Sequence, residues 1–132
     1  MIMKATTEVP YTPLQVFEAL SRDDLIKIWD ENVSQRSFLK GITEDIYAAY
    51  WVRKGASGVL PRDFTVLTYV YRENDDLWII SFSEKSVDQF VPKNEKCNVR
   101  AQLYLTAQVL QKTETGTMVS NIIEFDFKGY VP

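Results

Sequence analysis

From Val33 onward the chain is a succession of β-prone runs separated by turn residues, and this pattern constrains the fold more than any other feature. Runs rich in β-branched and aromatic residues predict strands at 33–39, 45–53, 62–72, 77–84, 99–111 and 118–127. Residues 54–61 contain Gly55, Gly58 and Pro61 and read as a loop. The cluster Glu73-Asn74-Asp75-Asp76 turns one strand into the next as a hairpin. Residues 87–98, with Pro92, Lys93 and Asn94, read as another loop, and 113–116 as another turn. In the long strand that follows 98, alternation sets Val99, Ala101, Leu103, Leu105, Ala107 and Val109 on one face. In the last strand it does the same for Val119, Ile123, Phe125 and Phe127.

Helix signals are confined to the region before Val33. After a first strand over 1–9, Thr12-Pro13-Leu14-Gln15 opens a helix: Thr12 caps, Pro13 suits the first position and Gln15 completes a capping box. Val16, Leu14, Phe17 and Leu20 give it an apolar side. Ser21, with Asp24 three residues on, starts a second short helix that runs to about Trp29 and presents Leu25, Ile28 and Trp29. One strand, two short helices and six further strands make an α+β fold with an antiparallel sheet. A sheet with one apolar face must cover that face, and two short helices cover only part of it.

Composition narrows the chemistry. The 132 residues, 45% hydrophobic, suffice for one domain with a sizeable core. There is no histidine, which excludes Ser-His-Asp and Cys-His catalysis and every histidine-based metal site. The single cysteine, Cys97, excludes a disulfide framework and fits a reducing, cytoplasmic setting. A net charge of -3 argues against a nucleic-acid partner. No apolar run is long enough to cross a membrane as a helix, and the first residues lack the apolar region of a signal peptide. The carboxylate pairs Asp23/Asp24, Glu44/Asp45 and Asp75/Asp76 sit at a helix start and in turns, where aspartate serves capping and loop geometry. Lys54-Gly55-Ala56-Ser57-Gly58 lacks the following helix of a phosphate loop. Arg62 and Asp63 are strand neighbours pointing to opposite faces, so they cannot converge on one substrate atom. The expectation is a binding protein without a cofactor, not an enzyme.

Five short motifs recur in series. They are Trp29-Asp30; Gly58-Val59-Leu60-Pro61-Arg62-Asp63-Phe64; Lys85-Ser86-Val87; Asn98-Val99-Arg100-Ala101; and Asp126-Phe127-Lys128-Gly129-Tyr130-Val131-Pro132. In this order and spacing the set resembles the START domain family of lipid-transfer modules. The resemblance implies a helix-grip fold, in which a curved antiparallel sheet wraps a long C-terminal helix and a tunnel between them holds one lipid. Against that pattern, the chain lacks the family's N-terminal part and ends where the C-terminal helix would begin, as a truncated or minimal member would.

The resemblance also implies site residues. Trp51, Phe64 and Tyr104 fall at the aromatic cage positions of phosphatidylcholine-carrying members, and Asp30 at a head-group position. Aromatic faces attract a quaternary ammonium. The arginine that pairs the phosphate in those members falls at Ile26 here, and an apolar residue cannot neutralise a buried phosphate. Strand alternation points Tyr104 away from the odd-numbered apolar face unless a bulge intervenes. Arg62 is expected near a tunnel mouth, and Asp63 and Arg100 in structural pairs. Thr68, Ser81, Ser83 and Asn121 are candidate polar contacts on neighbouring strands, and the loop at 54–61 a candidate gate. The implied function is binding and transfer of one phospholipid or sterol, with transient membrane-surface contact. The alternative is a lipid-sensing or interaction module of a larger protein. Self-association is a further way to cover the apolar sheet face.

Overall fold

The computed structural model describes residues 2–126 and 128, without the side chains of Lys27 and Trp29. The expected positions of Phe127, the Trp29 ring and the 129–132 motif lie outside the described residues.

Strand β1 (Ile2–Val9) is followed by helices α1 (Pro13–Ser21) and α2 (Ile26–Trp29). Then come β2 (Val33–Gly41), β3 (Ile46–Arg53), β4 (Arg62–Glu73), β5 (Asp76–Ser83), β6 (Val99–Arg100), β7 (Gln102–Lys112) and β8 (Thr117–Asp126). The strands form one sheet in the order β1-β8-β7-β5-β4-β3-β2, with β6 beside β4. All pairs along this order are antiparallel, and β6 runs parallel to β4. The α+β, antiparallel expectation is met.

Local chemistry explains the helical entry. Thr12 Oγ1 accepts from the Gln15 amide at 3.2 Å, and Gln15 Oε1 accepts from the Thr12 amide at 2.9 Å. This is the capping box expected from sequence, with Pro13 at the first position. Val16, Phe17 and Leu20 of α1 pack on a cluster of Leu77, Ile79, Leu110 and Val119 from β5, β7 and β8. A second cluster of Ala49, Phe64, Val66, Ala101, Leu103 and Phe125 continues along the same side of the sheet.

The second helix departs from expectation. Ser21 ends α1 instead of capping the next helix, and Asp24 is held by Arg22 at 2.6 Å. With no side-chain cap, the chain makes a 3₁₀ turn at Asp23–Leu25 and only four residues of α-helix. Among its described side chains Ile26 is buried, whereas Ile28, expected to face inward, is 79% exposed.

The alternation along β7 also needs correction. A register shift between Leu103 and Leu105 places Leu103 opposite Phe125 and Leu105 opposite Glu124. This bulge exchanges the faces. Leu103 is inward before it; after it Thr106 and Gln108 are inward and Leu110 is fully buried. Leu105, Ala107 and Val109 therefore lie on the face opposite to Leu103.

The outer face of β4 carries a buried polar lock. Arg100 Nε donates to Asp63 Oδ1 at 2.8 Å, Nη1 to Asp88 Oδ1 at 2.8 Å, and Nη2 to the Val91 carbonyl at 2.7 Å. Tyr50 donates its hydroxyl to Asp63 Oδ2 at 2.7 Å. Val87, buried in a 3₁₀ turn at Lys85–Gln89, packs on this face. The structural reading of Asp63 and Arg100 is what the geometry supplies.

Burial, then the hydrogen bond and charge of Asp63, push the Tyr50 hydroxyl up to about 12 against the opposing pull of Arg100. An unfolded tyrosine ionises near 10, so above that pH the unfolded state loses a proton that the folded state keeps. Stability from this group is full below pH 10 and falls as pH rises toward 12. We expect Tyr50→Phe to flatten that part of the profile, measured as urea midpoints from pH 9 to 12 for both proteins.

Candidate functional site

The side of the sheet that faces α1 and α2 encloses a cavity of about 600 Å³. Phe17, Leu20 and Ile26 line it from the helices; Ala49, Trp51, Phe64, Ile79, Leu103, Val119 and Ile123 line it from the strands. Phe38 on edge strand β2 lines it while 61% exposed, so the cavity opens along that side. The Phe38 ring sits 5.7 Å from that of Tyr47.

The cavity floor is built in cross-strand rows. Arg36, Trp51 and Phe64 occupy one row across β2, β3 and β4. Along the cavity side of β3 follow Tyr47, Ala49, Trp51 and Arg53. The end with Trp51 holds two ion pairs that also line the cavity. Arg36 Nε meets Asp23 Oδ1 at 2.7 Å, and Arg53 Nη1 lies 3.8 Å from Asp30 Oδ2.

Of the residues singled out from sequence, Trp51, Phe64, Asp30, Thr68, Ser81 and Asn121 line this space. Tyr104, Arg62 and Ser83 do not. Tyr104 is 50% exposed and outside the lining, as the alternation that turns its neighbour Leu103 inward predicts. Arg62 is buried, but its guanidinium donates to the carbonyls of Leu60 at 2.6 Å and Lys128 at 2.7 Å. It ties the 54–61 loop to the chain beyond β8 and is not part of the cavity wall. Of the four candidate polar contacts, Ser83 is also absent, since its hydroxyl accepts from the Leu103 amide at 2.8 Å.

Sequence reasoning missed Tyr47, Arg36, Arg53, Thr106 and Gln108. Strand alternation from Trp51 gives Tyr47 and Arg53 directly; Thr106 and Gln108 required knowledge of the bulge. Among the described residues no group of His, Cys, Asp or Glu is placed to hold a metal. Also among them, no helix is long and apolar enough to cross a membrane.

The loop at 54–61 closes on itself through Ala56 and Val59. A Cβ on Gly55 would strike the Val59 carbonyl oxygen and come within 2.8 Å of Pro61 N. Backbone cannot yield as a flexible side chain can. Gly55→Ala is therefore expected to cost about 1–3 kcal/mol, read from denaturant unfolding.

An antiparallel sheet that carries helices on one side, with an apolar cavity between, is the helix-grip architecture. The START domain family model matches residues 1–132, and the chain belongs to that family. Its fold is similar to that of human STARD10, with 21% identity and a TM-score of 0.87 over 99% of this chain and 53% of that one. Human StAR-related lipid transfer protein 5 gives 22% identity and a TM-score of 0.87 over 99% of this chain and 64% of that one. The lipid transfer and protein localization domain of human StarD13 gives 20% and 0.82, over 98% and 64%. The chain thus spans between half and two thirds of the length of these structures. No curated protein matches the sequence.

Proposed function

We propose that the chain binds a single lipid in the cavity between its helices and sheet and transfers it between membranes without chemical change. The observation that carries this reading is the cavity: about 600 Å³, its wall mainly apolar in surface, with Thr68, Ser81, Thr106, Gln108 and Asn121 as uncharged polar groups and two ion pairs at one end. Burying lipid surface against such walls yields roughly 25 cal/mol per Å², and a cavity of this kind is the usual form of a small-molecule site. Family membership and the lipid-transfer proteins among its structural neighbours support the same reading. Trp51, Phe64, Thr68 and Asn121 are the proposed lipid contacts, with Asp30 at the charged end. The exposed Ile28, and Phe38 on the open side of the cavity, are the proposed membrane contacts.

Transfer is tested with donor vesicles carrying a mixture of labelled phospholipid, sterol and glyceride, and unlabelled acceptors. The expected result is an acceleration that scales with protein concentration. Binding without acceleration would instead assign the chain to lipid sensing, and neither binding nor acceleration would overturn the proposal.

A further inference from the structure

The sheet has a second side. Along each strand, residues that line the cavity, such as Thr68, Ile79 and Gln108, alternate with neighbours that point the opposite way. One half of this outer face is covered. There Asp63 and Thr65 are 2% and 3% exposed, beneath the segment whose Asp88 and Val91 hold Arg100. Beyond that cover the face is apolar and open. One row across the strands is Tyr71, Trp78, Val109 and Ser120. The next is Ile46, Tyr69, Ile80 and Ala107. Tyr71 is 43% exposed and the rest of both rows is half-buried. The Tyr69 and Tyr71 rings stack with centroids 6.3 Å apart. Neither row meets a charge until the second, continuing across β8, reaches Lys4 on edge strand β1. The apolar face left uncovered thus lies away from α1 and α2, not under them.

The relief of this face is self-complementary. Strands β4 and β5 carry its bulky side chains, Tyr69, Tyr71, Trp78 and Ile80; β7 and β8 carry small ones, Ala107, Val109 and Ser120. Consider a twofold axis lying in the face, along the strands and between β5 and β7. It lays β5 of one copy on β7 of the other, and β4 on β8. Trp78 then meets Val109 of the second copy, Ile80 meets Ala107 and Tyr71 meets Ser120. Bulky against small is what two interdigitating sheet faces about 10 Å apart require. The same rotation carries Lys4 to the turn before Ile46 of the second copy, where Glu44 and Asp45 stand exposed. An axis across the strands would instead set bulky on bulky and Lys4 near Lys4.

Three rows across four strands cover roughly 400 Å² of flat sheet. An uncharged apolar patch of that size is commonly a binding surface. Two such faces together lie at the small end of specific interfaces, which makes the pair weak and reversible.

We propose that the outer face of Tyr69, Tyr71, Trp78, Ile80, Ala107 and Val109 docks a second copy of this chain, back to back, with the two cavities pointing outward. Sedimentation equilibrium of the whole chain from about 1 to about 500 µM tests it. The expected result is a rise with concentration toward twice the chain mass of 15.3 kDa. Ala107→Arg, which sets a charge against Ile80 of the second copy, should weaken pairing by about tenfold or more. Ile28→Lys and Phe38→Lys, on the cavity side, should leave it unchanged. Lys4 and Glu44 are both exposed, so their exchange tests the pairing without disturbing the fold. Lys4→Glu and Glu44→Lys should each weaken it, and the two together should restore it. A single-chain mass at every concentration, growth beyond the dimer, a dimer indifferent to Ala107→Arg and to the charge exchange, or one lost only in Phe38→Lys would overturn the proposal. In a chain that stays single, vesicle binding lost on Tyr71→Lys would give this face to a lipid surface instead.

Discussion

Replacing Arg100 by alanine is expected to lower unfolding free energy by about 3–5 kcal/mol, the cost of stranding a buried charge. Arg100 is the hub of the outer-face lock. It reaches Asp63 on β4, Asp88 in the 3₁₀ turn and the Val91 carbonyl, each at 2.8 Å or less. Its side chain is 8% exposed and that of Asp63 only 3%. Removing the guanidinium leaves the Asp63 carboxylate in a dry site with Tyr50 as its remaining named donor. For a domain whose total stability is roughly 5–15 kcal/mol, that loss is a large fraction. The measurement is the urea midpoint of Arg100→Ala beside that of Arg22→Ala. Arg22 forms an exposed pair with Asp24, so its removal should leave the midpoint nearly unchanged. Equal effects at the two positions would show that the lock contributes no more than a surface pair.

The second large effect concerns occupancy. Trp51 presents its ring to the cavity beside Phe64, and a tryptophan offers about 150–250 Å² of contact surface. If half of that meets lipid, truncation removes about 2 kcal/mol, or roughly thirtyfold in affinity. Trp51→Ala is therefore expected to weaken lipid binding by tenfold or more while the chain stays folded. Tyr104→Ala should leave binding unchanged, because that residue is half exposed and outside the cavity lining. The pair of variants, titrated against vesicles, separates the cavity found here from the cage that family resemblance implied. A larger loss for Tyr104→Ala than for Trp51→Ala would reverse the assignment.

Much of this was legible before any coordinates. The Thr12–Gln15 capping box, the turn at 73–76 and the strand runs rest on local chemistry, and local chemistry is what a single sequence records. Trp51 and Phe64 come from the family resemblance, and they line the cavity from regular strands whose register pairs them. Parity alone turns Tyr104 away from the apolar face, as the structure does, and only the family resemblance puts it in the cavity; Thr106 and Gln108 were hidden, since one extra residue in β7 reverses every side chain after it and nothing in 99–111 marks where that residue falls. Arg62 misled for a different reason. Its place in the Pro-Arg-Asp motif was plain, but its carbonyl partners, Leu60 and Lys128, are set by the fold.

The central claim is that the chain holds one lipid between its helices and sheet. Native mass spectrometry of the purified chain after incubation with mixed liposomes, followed by organic extraction, tests it most directly. The account predicts a one-to-one adduct of a few hundred daltons that diminishes in Trp51→Ala and persists in Tyr104→Ala. A bare protein mass after incubation with every lipid class offered would contradict it.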